Sequence, residues 1–382
     1  MKINTVLLGI VLASLSVTTG AAQQSFDDWR AERETRYHDF QKAFHARYQE
    51  YLERVTAEWG GAAVLSDANR VVRYSDNLQH RVIVDYENLT IDIDFIDGTE
   101  PVRSDMQQAL EQLSHLSVAD AARQDPVLQL SSMEDQRPLL ETFTGGKAIE
   151  MEALAPTDLT TTKLSADVAA SDPEADPTSK RISRITLNLA DQDIFSQRAK
   201  TYQPAVNEFA RLHDLAPALI FAIMQVESSF NPLAQSHIPA FGLMQVVPNS
   251  AGVDVNRALF SVNEPPSSQL LFQPKTNIQF GSKYLDILST KYLTGILDPE
   301  VRQLCIIAAY NTGAGNVASV FHPQGRRQIR PAVEVINTLT VEEVYAKLLS
   351  DLPYQETRDY LPKVMDALKN YQSAEITATG TI

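Results

Sequence analysis

From Ala216 to Phe230 the chain reads Ala-Pro-Ala-Leu-Ile-Phe-Ala-Ile-Met-Gln-Val-Glu-Ser-Ser-Phe, an apolar helical stretch that closes on a carboxylate, Glu227. Ile220, Ile223 and Glu227 fall at the three-and-four spacing of one helical face, so the carboxyl rides on the stripe that packs into a core. Burial disfavours the charged form and raises a carboxyl pKa, as a general acid working near neutral pH requires. Pro232 cannot supply a backbone donor and Asn231 disfavours a helix interior, so Glu227 is expected at a helix exit, on the edge of a cleft. On spacing alone, a satisfied core carboxylate or a solvent-facing end residue is an equal reading.

At 382 residues the chain has room for two domains. Phe40, Phe44, Tyr48, Tyr51, Val55 and Trp59 step by four and three along a helix expected over 27–59, a stripe that needs a neighbouring sheet to pack on. Val71–Tyr74, Arg81–Tyr86 and Leu89–Phe95 alternate in the strand period, giving a hairpin after that helix. A further helix is expected over 104–116 and a strand over Arg184–Leu189. Residues 156–179, rich in Thr, Ser, Ala, Asp and Pro and without apolar period, read as a flexible insertion. Beyond 195 the pattern is helical, with candidates near 197–213, 217–229, 275–293, 299–310, 341–350 and 355–371. The fold class expected is therefore α+β: a small N-terminal α+β domain over 23–195, then an all-α domain over 196–372 and a flexible tail over 373–382.

Residues 1–22 have the short basic, apolar and small-residue sections of an export signal, with cleavage expected after Ala22. The apolar section is shorter than the roughly 20 residues that span a bilayer. The lone cysteine, Cys305, lies in the apolar run Leu304–Ala309 and reads as a buried thiol, so the chain forms no internal disulfide. Residues 1–195 hold 18 Lys and Arg against 32 Asp and Glu, and residues 196–382 hold 15 against 16. Neither part has the net-basic footprint of a nucleic-acid binder. The seven histidines show no metal-binding spacing, so no metal and no cofactor are expected. Gly313-Ala-Gly315 follows a helix rather than a strand and reads as a helix stop, not a dinucleotide loop.

After Glu227-Ser-Ser-Phe-Asn-Pro232 come Ser236, Gly242-Leu-Met-Gln245, Ala308-Ala-Tyr-Asn311 and Glu356-Thr-Arg-Asp-Tyr-Leu361. In this order the set resembles the family 1 lytic transglycosylases of bacterial cell-wall turnover, over about residues 197–372. The acidic first part is similar to the N-terminal domain of a membrane-bound branch of that family. That branch is lipid-anchored, whereas no lipid-accepting cysteine stands here, which favours the soluble periplasm with outer-membrane association still open. Pro239 stands where relatives carry Gly or Asp.

The resemblance implies a lysozyme-like helical domain that cleaves the β-1,4 bond between N-acetylmuramic acid and N-acetylglucosamine of peptidoglycan and leaves a 1,6-anhydro end. Glu227 would serve as acid and then as base. Ser236, Met244, Gln245, Tyr310, Asn311 and Glu356 would contact the sugar strand, and the first domain could recruit a cell-wall or outer-membrane protein. Read from the residues alone, Ser236 is equally a turn hydroxyl, Met244 equally core filling, and Glu356 an exposed helix-start acid. Tyr310 offers a ring face to a sugar and a hydroxyl that could orient Glu227. Glycosidases ordinarily need two carboxylates, yet none follows Glu227 before Asp254. A single carboxyl suits attack by a nucleophile already within the substrate. A hydrolase of the goose-type lysozyme kind, using a distant partner such as Asp254 or Asp286, and a non-catalytic peptidoglycan-binding scaffold are the other readings.

Overall fold

The computed structural model describes residues 42–96, 100–149, 159–165, 181–189, 193–237 and 239–379. Residues 1–22, read above as an export signal, and Phe40 lie outside them. The first helix, α1, is described over 42–59 and passes into a single 3-10 turn at Gly60–Ala62. Its stripe is buried as the spacing requires: Phe44, Tyr51, Val55 and Trp59 are all at 9% exposure or less. The Trp59 ring lies 5.4 Å from that of Tyr74, and its indole donates to the Leu78 carbonyl at 2.8 Å. Sheet packing accounts for only part of the stripe, because Phe44 meets Phe241 of the helical half edge-on at 5.7 Å.

Strands β1 (Arg70–Tyr74), β2 (His80–Asp85) and β3 (Thr90–Ile96) form a meander. The expected hairpin is thus the core of a larger sheet, extended by β5 (Arg181–Asn188) and then β4 (Leu159–Ser165). The order is β1-β2-β3-β5-β4, antiparallel throughout. Strand β4 corrects the reading of 156–179 as a flexible insertion, since 159–165 pair along β5; residues 166–179 lie outside the description. An edge strand with exposed Thr160, Thr161, Thr162 and Lys163 has no buried face to impose alternation, while its β-branched residues suit a pleated backbone.

On the face of β3 opposite Ile91 and Ile93, the register lines up Arg81, Asp94 and Arg184 across three strands. Asp94, fully buried, accepts from Arg81 Nε at 2.8 Å and from Arg184 Nε at 2.6 Å. Arg81 also donates to the Tyr74 hydroxyl at 2.9 Å and stacks 4.3 Å from the Trp59 ring, which ties the sheet to α1. A one-residue slip would turn this buried triad to the other face, so it specifies register as well as strength.

Helices α2 (Arg103–His115), α3 (Val118–Gln124) and α4 (Leu139–Thr144) cover the sheet. The helical half comprises α5 (Ile194–Leu212), α6 (Pro217–Ser228), α7 (Val253–Phe260), α8 (Ser268–Leu271), α9 (Pro274–Ile287), α10 (Pro299–Thr312), α11 (Ala314–Phe321), α12 (Ile329–Ile336), α13 (Val341–Asp351) and α14 (Gln355–Thr379). The helices that sequence period did not reveal, α3, α4, α7, α8, α11 and α12, have four to eight residues, too few turns for a stripe to repeat. Gly313, at φ 86°, separates α10 from α11 as a helix stop. Cys305 is fully buried. One continuous hydrophobic core runs from Phe44 and Trp59 through the sheet to Leu361 and Val364. No helix among the described residues is long and apolar enough to cross a membrane.

Replacing Asp94 with Ala removes the carboxylate that Arg81 and Arg184 share, leaving Arg81, among the described residues, with neutral partners only and Arg184 with Asp92. Urea unfolding of the whole chain is expected to show a loss of about 3–5 kcal/mol; a loss below ~1 kcal/mol would mean that the arginines reach water or other partners.

Candidate active site

Helix α6 starts with Pro217 at its first turn, where a missing N–H costs nothing, and buries seven consecutive residues from Ala218 to Met224. It stops before Pro232 is reached: Ser229 and Phe230 both take left-handed backbone, at φ 51° and 65°. Two such residues in a row without glycine store strain, and their neighbours hold them there. Ser228, fully buried, donates its hydroxyl to the Leu243 carbonyl at 2.8 Å, and Asn231 donates to the Ala68 carbonyl at 3.1 Å.

Arg198 of α5 supplies the third restraint. At 1% exposure its guanidinium donates to the carbonyls of Phe143 at 2.8 Å, Tyr86 at 2.7 Å and Ser229 at 3.1 Å. It stands 4.9 Å from the Tyr86 ring and 5.2 Å from that of Phe143. Among the described residues no carboxylate pairs with it, and burial pushes its pKa down to about 10. A cation at the carbonyl end of α6 also complements the helix dipole.

Glu227 sits one residue before this exit, half-buried, and its Oε1 accepts a hydrogen bond from the Tyr360 hydroxyl at 2.8 Å. Burial pushes its carboxyl up to about 8; the Tyr360 hydroxyl draws it back down, and the Glu356 carboxylate adds to the rise. Glu227 is therefore mostly protonated at neutral pH. Tyr360 and Glu356 stand one turn apart on α14, which lies along α6 and is fixed there by Tyr371 donating to Gln225 Oε1 at 2.7 Å. Asn311, at the end of α10, donates to Glu356 Oε1 at 3.4 Å and accepts from the Thr357 hydroxyl at 2.7 Å.

The loop Gly242–Gln245 forms the adjoining wall. Gly242 has φ 74°, and a Cβ there would fall 2.4 Å from Asn277 Nδ2 and 2.6 Å from the Leu271 carbonyl, so both backbone and space demand glycine. Asn277, fully buried on α9, accepts from Met244 N–H and donates to the carbonyls of Phe241 and Leu271, each at 2.7 Å. Tyr310 donates its hydroxyl to the Met244 carbonyl at 2.8 Å, with the Tyr284 ring 5.7 Å away. Burial, followed by the nearby Glu227 and Tyr284, holds the Tyr310 hydroxyl well above the usual phenol range.

Of the residues expected at the site, Glu227, Tyr310, Asn311 and Glu356 converge directly, and Met244 and Gln245 belong to the wall that Tyr310 grips. Two side chains differ from expectation. The Met244 side chain is fully buried against Gly281, whose Cβ would lie 2.3 Å from its sulfur, so Met244 contributes backbone here rather than a sugar-facing surface. Tyr310 does not orient Glu227 with its hydroxyl; Tyr360 does. Gln245, at φ 43°, donates its amide to the Gly242 carbonyl at 3.0 Å. Ser236 lines a cavity of about 670 Å³ shared with Asp67, Asn69, Asp85 and Glu87 of the first half. Asp254 and Asp286 are engaged elsewhere, by Tyr292 at 2.9 Å and Lys283 at 2.7 Å. Among the described residues, the carboxylate whose charge reaches Glu227 is Glu356.

Tyr360, Asn277, Ser228 and Arg198 were not singled out from sequence. Tyr360 had a legible signal, being four residues after Glu356 on one helical face. Replacing Arg198 with Met leaves three carbonyls without their donor. Thermal or urea unfolding is expected to register a loss of about 2–4 kcal/mol, and unchanged stability would mean those carbonyls are otherwise satisfied.

Residues 205–333 match the transglycosylase SLT domain. The membrane-bound lytic murein transglycosylase C of Klebsiella pneumoniae (strain 342) is 34% identical over 336 residues, which cover 85% of this chain and 88% of that protein. Its namesake from Pectobacterium atrosepticum is 32% identical over 370 residues, covering 95% and 98%. Among solved structures, an inactive mutant of the lytic transglycosylase Slt of Pseudomonas aeruginosa aligns with 25% identity and a TM-score of 0.37, over 48% of this chain and 26% of that one. The 70 kDa soluble lytic transglycosylase of Escherichia coli aligns over the same shares, with 22% identity and a TM-score of 0.35. On sequence likeness along most of its length, the chain belongs to the membrane-bound lytic murein transglycosylase C family.

Proposed function

We propose that this protein cleaves the β-1,4 bond between N-acetylmuramic acid and N-acetylglucosamine in peptidoglycan without consuming water. The observation that carries the reading is a half-buried carboxyl at the exit of an apolar helix, Glu227, with a phenol hydrogen-bonded to one of its oxygens and a pKa raised by burial. The names of its relatives, murein transglycosylases, supply the substrate class.

In the proposed sequence Glu227 gives its proton to the glycosidic oxygen as the bond to C1 of the muramoyl residue breaks. The carboxylate so formed then takes the proton of the muramoyl C6 hydroxyl while O6 closes on C1, and Glu227 returns to its starting state. Tyr360 favours the carboxylate and burial favours the acid, so the group lies near the middle of the range in which it can perform both steps. Ser236, Gln245, Tyr310, Asn311 and Glu356 are proposed to hold the glycan, with Met244 acting through its backbone. Export to the periplasm through residues 1–22 belongs to the same proposal, as does recruitment of an envelope protein by the first half.

The proximity of Glu356 favours a second reading, hydrolysis in which that residue activates water. Mass spectrometry of fragments released from purified peptidoglycan separates the two. Products one water lighter than reducing-end fragments are expected from the wild type, and Glu227→Gln is expected to lower their release by at least about a thousandfold. Reducing ends would establish hydrolysis, and undiminished release by Glu227→Gln would overturn the assignment of the acid.

Tyr360→Phe removes the hydrogen bond that lowers the Glu227 pKa, so that pKa rises further. Activity as a function of pH should fall on the alkaline side near pH 8 in the wild type, and at higher pH in Tyr360→Phe, with a kcat about 10- to 100-fold lower. An alkaline limb unmoved by the substitution would assign it to another group.

A further inference from the structure

A second cavity, of about 340 Å³, opens beside the one that Ser236 lines, and the two share Ser66 and Gln235 in their walls. Its charged lining is balanced: Arg54 and Arg73 against Asp76 and Asp125. Among the described residues neither arginine forms a salt bridge. The Arg54 guanidinium lies 5.0 Å from the Tyr51 ring, and Arg73 donates to Gln124 Oε1 at 2.9 Å. Asp125 spends one oxygen, Oδ1, on the N–H groups of Val127 and Leu128, both at 2.8 Å. Gln235, only 3% exposed, has a side-chain oxygen with no hydrogen-bond partner among the described residues.

Each of these features points toward a ligand. A buried amide oxygen without a partner is costly unless something else donates to it. Guanidinium groups held beside an amide and a ring, with Asp125 near Arg73 but not in direct contact with it, keep donors available for planar recognition of a carboxylate. The remaining Asp125 oxygen is an acceptor for an ammonium. An isolated anion such as phosphate would meet two repelling carboxylates, and an apolar ligand would strand four charges. A group carrying one ammonium and one carboxylate satisfies both pairs.

We propose that this cavity, walled by Arg54, Arg73, Asp125 and Gln235, binds the zwitterionic amino-acid end of a peptide that branches from the peptidoglycan strand. The inference rests on the reading of the protein as acting on peptidoglycan. A glycan strand passing Ser236 would carry its peptide branch toward the shared wall at Gln235, so the first half would read peptide while the helical half handles sugar. Arg54 and Arg73 would take the carboxylate, and Asp125, with the Gln235 oxygen, the ammonium.

The test uses the whole mature chain with the Glu227→Gln substitution, which prevents turnover, and a free wall tripeptide whose terminal diamino acid keeps its ammonium and carboxylate. Calorimetric titration should show binding that weakens at least tenfold in Arg73→Gln and with a tripeptide whose terminal ammonium is acetylated. Absence of binding, or binding indifferent to both changes, overturns the proposal. Should Arg73→Gln fail to fold, as judged by its melting transition, the exposed Arg54→Gln takes its place under the same criteria. In chains with Glu227 intact, Arg73→Gln should raise KM at least fivefold for peptide-bearing strands and leave KM for peptide-free strands unchanged; equal effects on both substrates also overturn it. Arg73-dependent tripeptide binding in a protein that cleaves no glycan would sink the enzymatic reading and leave this site standing.

Discussion

A guanidinium that is 1% exposed and bound to three carbonyl oxygens from three separate chain segments is the constraint on which the rest of this structure depends. Arg198 joins the end of β2 through Tyr86, the end of α4 through Phe143, and the exit of α6 through Ser229. Neutral carbonyls stabilise a buried cation less than a carboxylate would, and burial lowers the Arg198 pKa. Because no partner carboxylate dictates a single orientation, the planar fork can reach across all three. With Ser228 and Asn231 it restrains the exit of α6, one residue beyond Glu227. The sheet-bearing half thereby helps to place Glu227, the proposed acid, through the Tyr86 and Phe143 carbonyls that hold Arg198.

The second organising constraint is electrostatic. Glu227 emerges from α6, which buries seven consecutive residues, and burial alone works against the proton-accepting step of the proposed cycle. Tyr360 counters burial and Glu356 reinforces it, so two residues one turn apart on α14 act in opposite directions on one carboxyl. The loop wall opposite is held by uncharged groups: Asn277, Ser228 and Tyr310 all bind its backbone. Placing the wall with amides and hydroxyls leaves the local field to the carboxyls and phenols alone.

Much of this was legible in the residues. The stripe of α1, the strands β1 to β3 and the long helices declare themselves by period, because each has one buried face and enough length to repeat it. Glu227 was legible because a carboxyl on an apolar stripe is chemically conspicuous. Tyr360 was less so, since a tyrosine on a helix of mixed composition is ordinary until the helix is docked against α6. Asn277 and Arg198 carry no local signal: their partners lie 33 to 36 residues away for the loop bonds of the first, and up to 112 for the second. Strand β4 was hidden because an exposed edge strand has no periodicity to show. Asp92 and Asp94, polar positions in an alternating strand, are covered by arginines from the neighbouring strands.

The phenol that tunes Glu227 lies 133 residues further along the chain, on the last helix. Until α14 has docked, the carboxyl lacks both the Tyr360 hydrogen bond and the Glu356 charge that act on it in the folded chain. A chain that emerges from its N-terminus would therefore fold its sheet, close the Arg198 contacts and form α6 while still chemically idle. The proposed acid thus acquires its hydrogen-bond partner only when nearly the whole polypeptide is present.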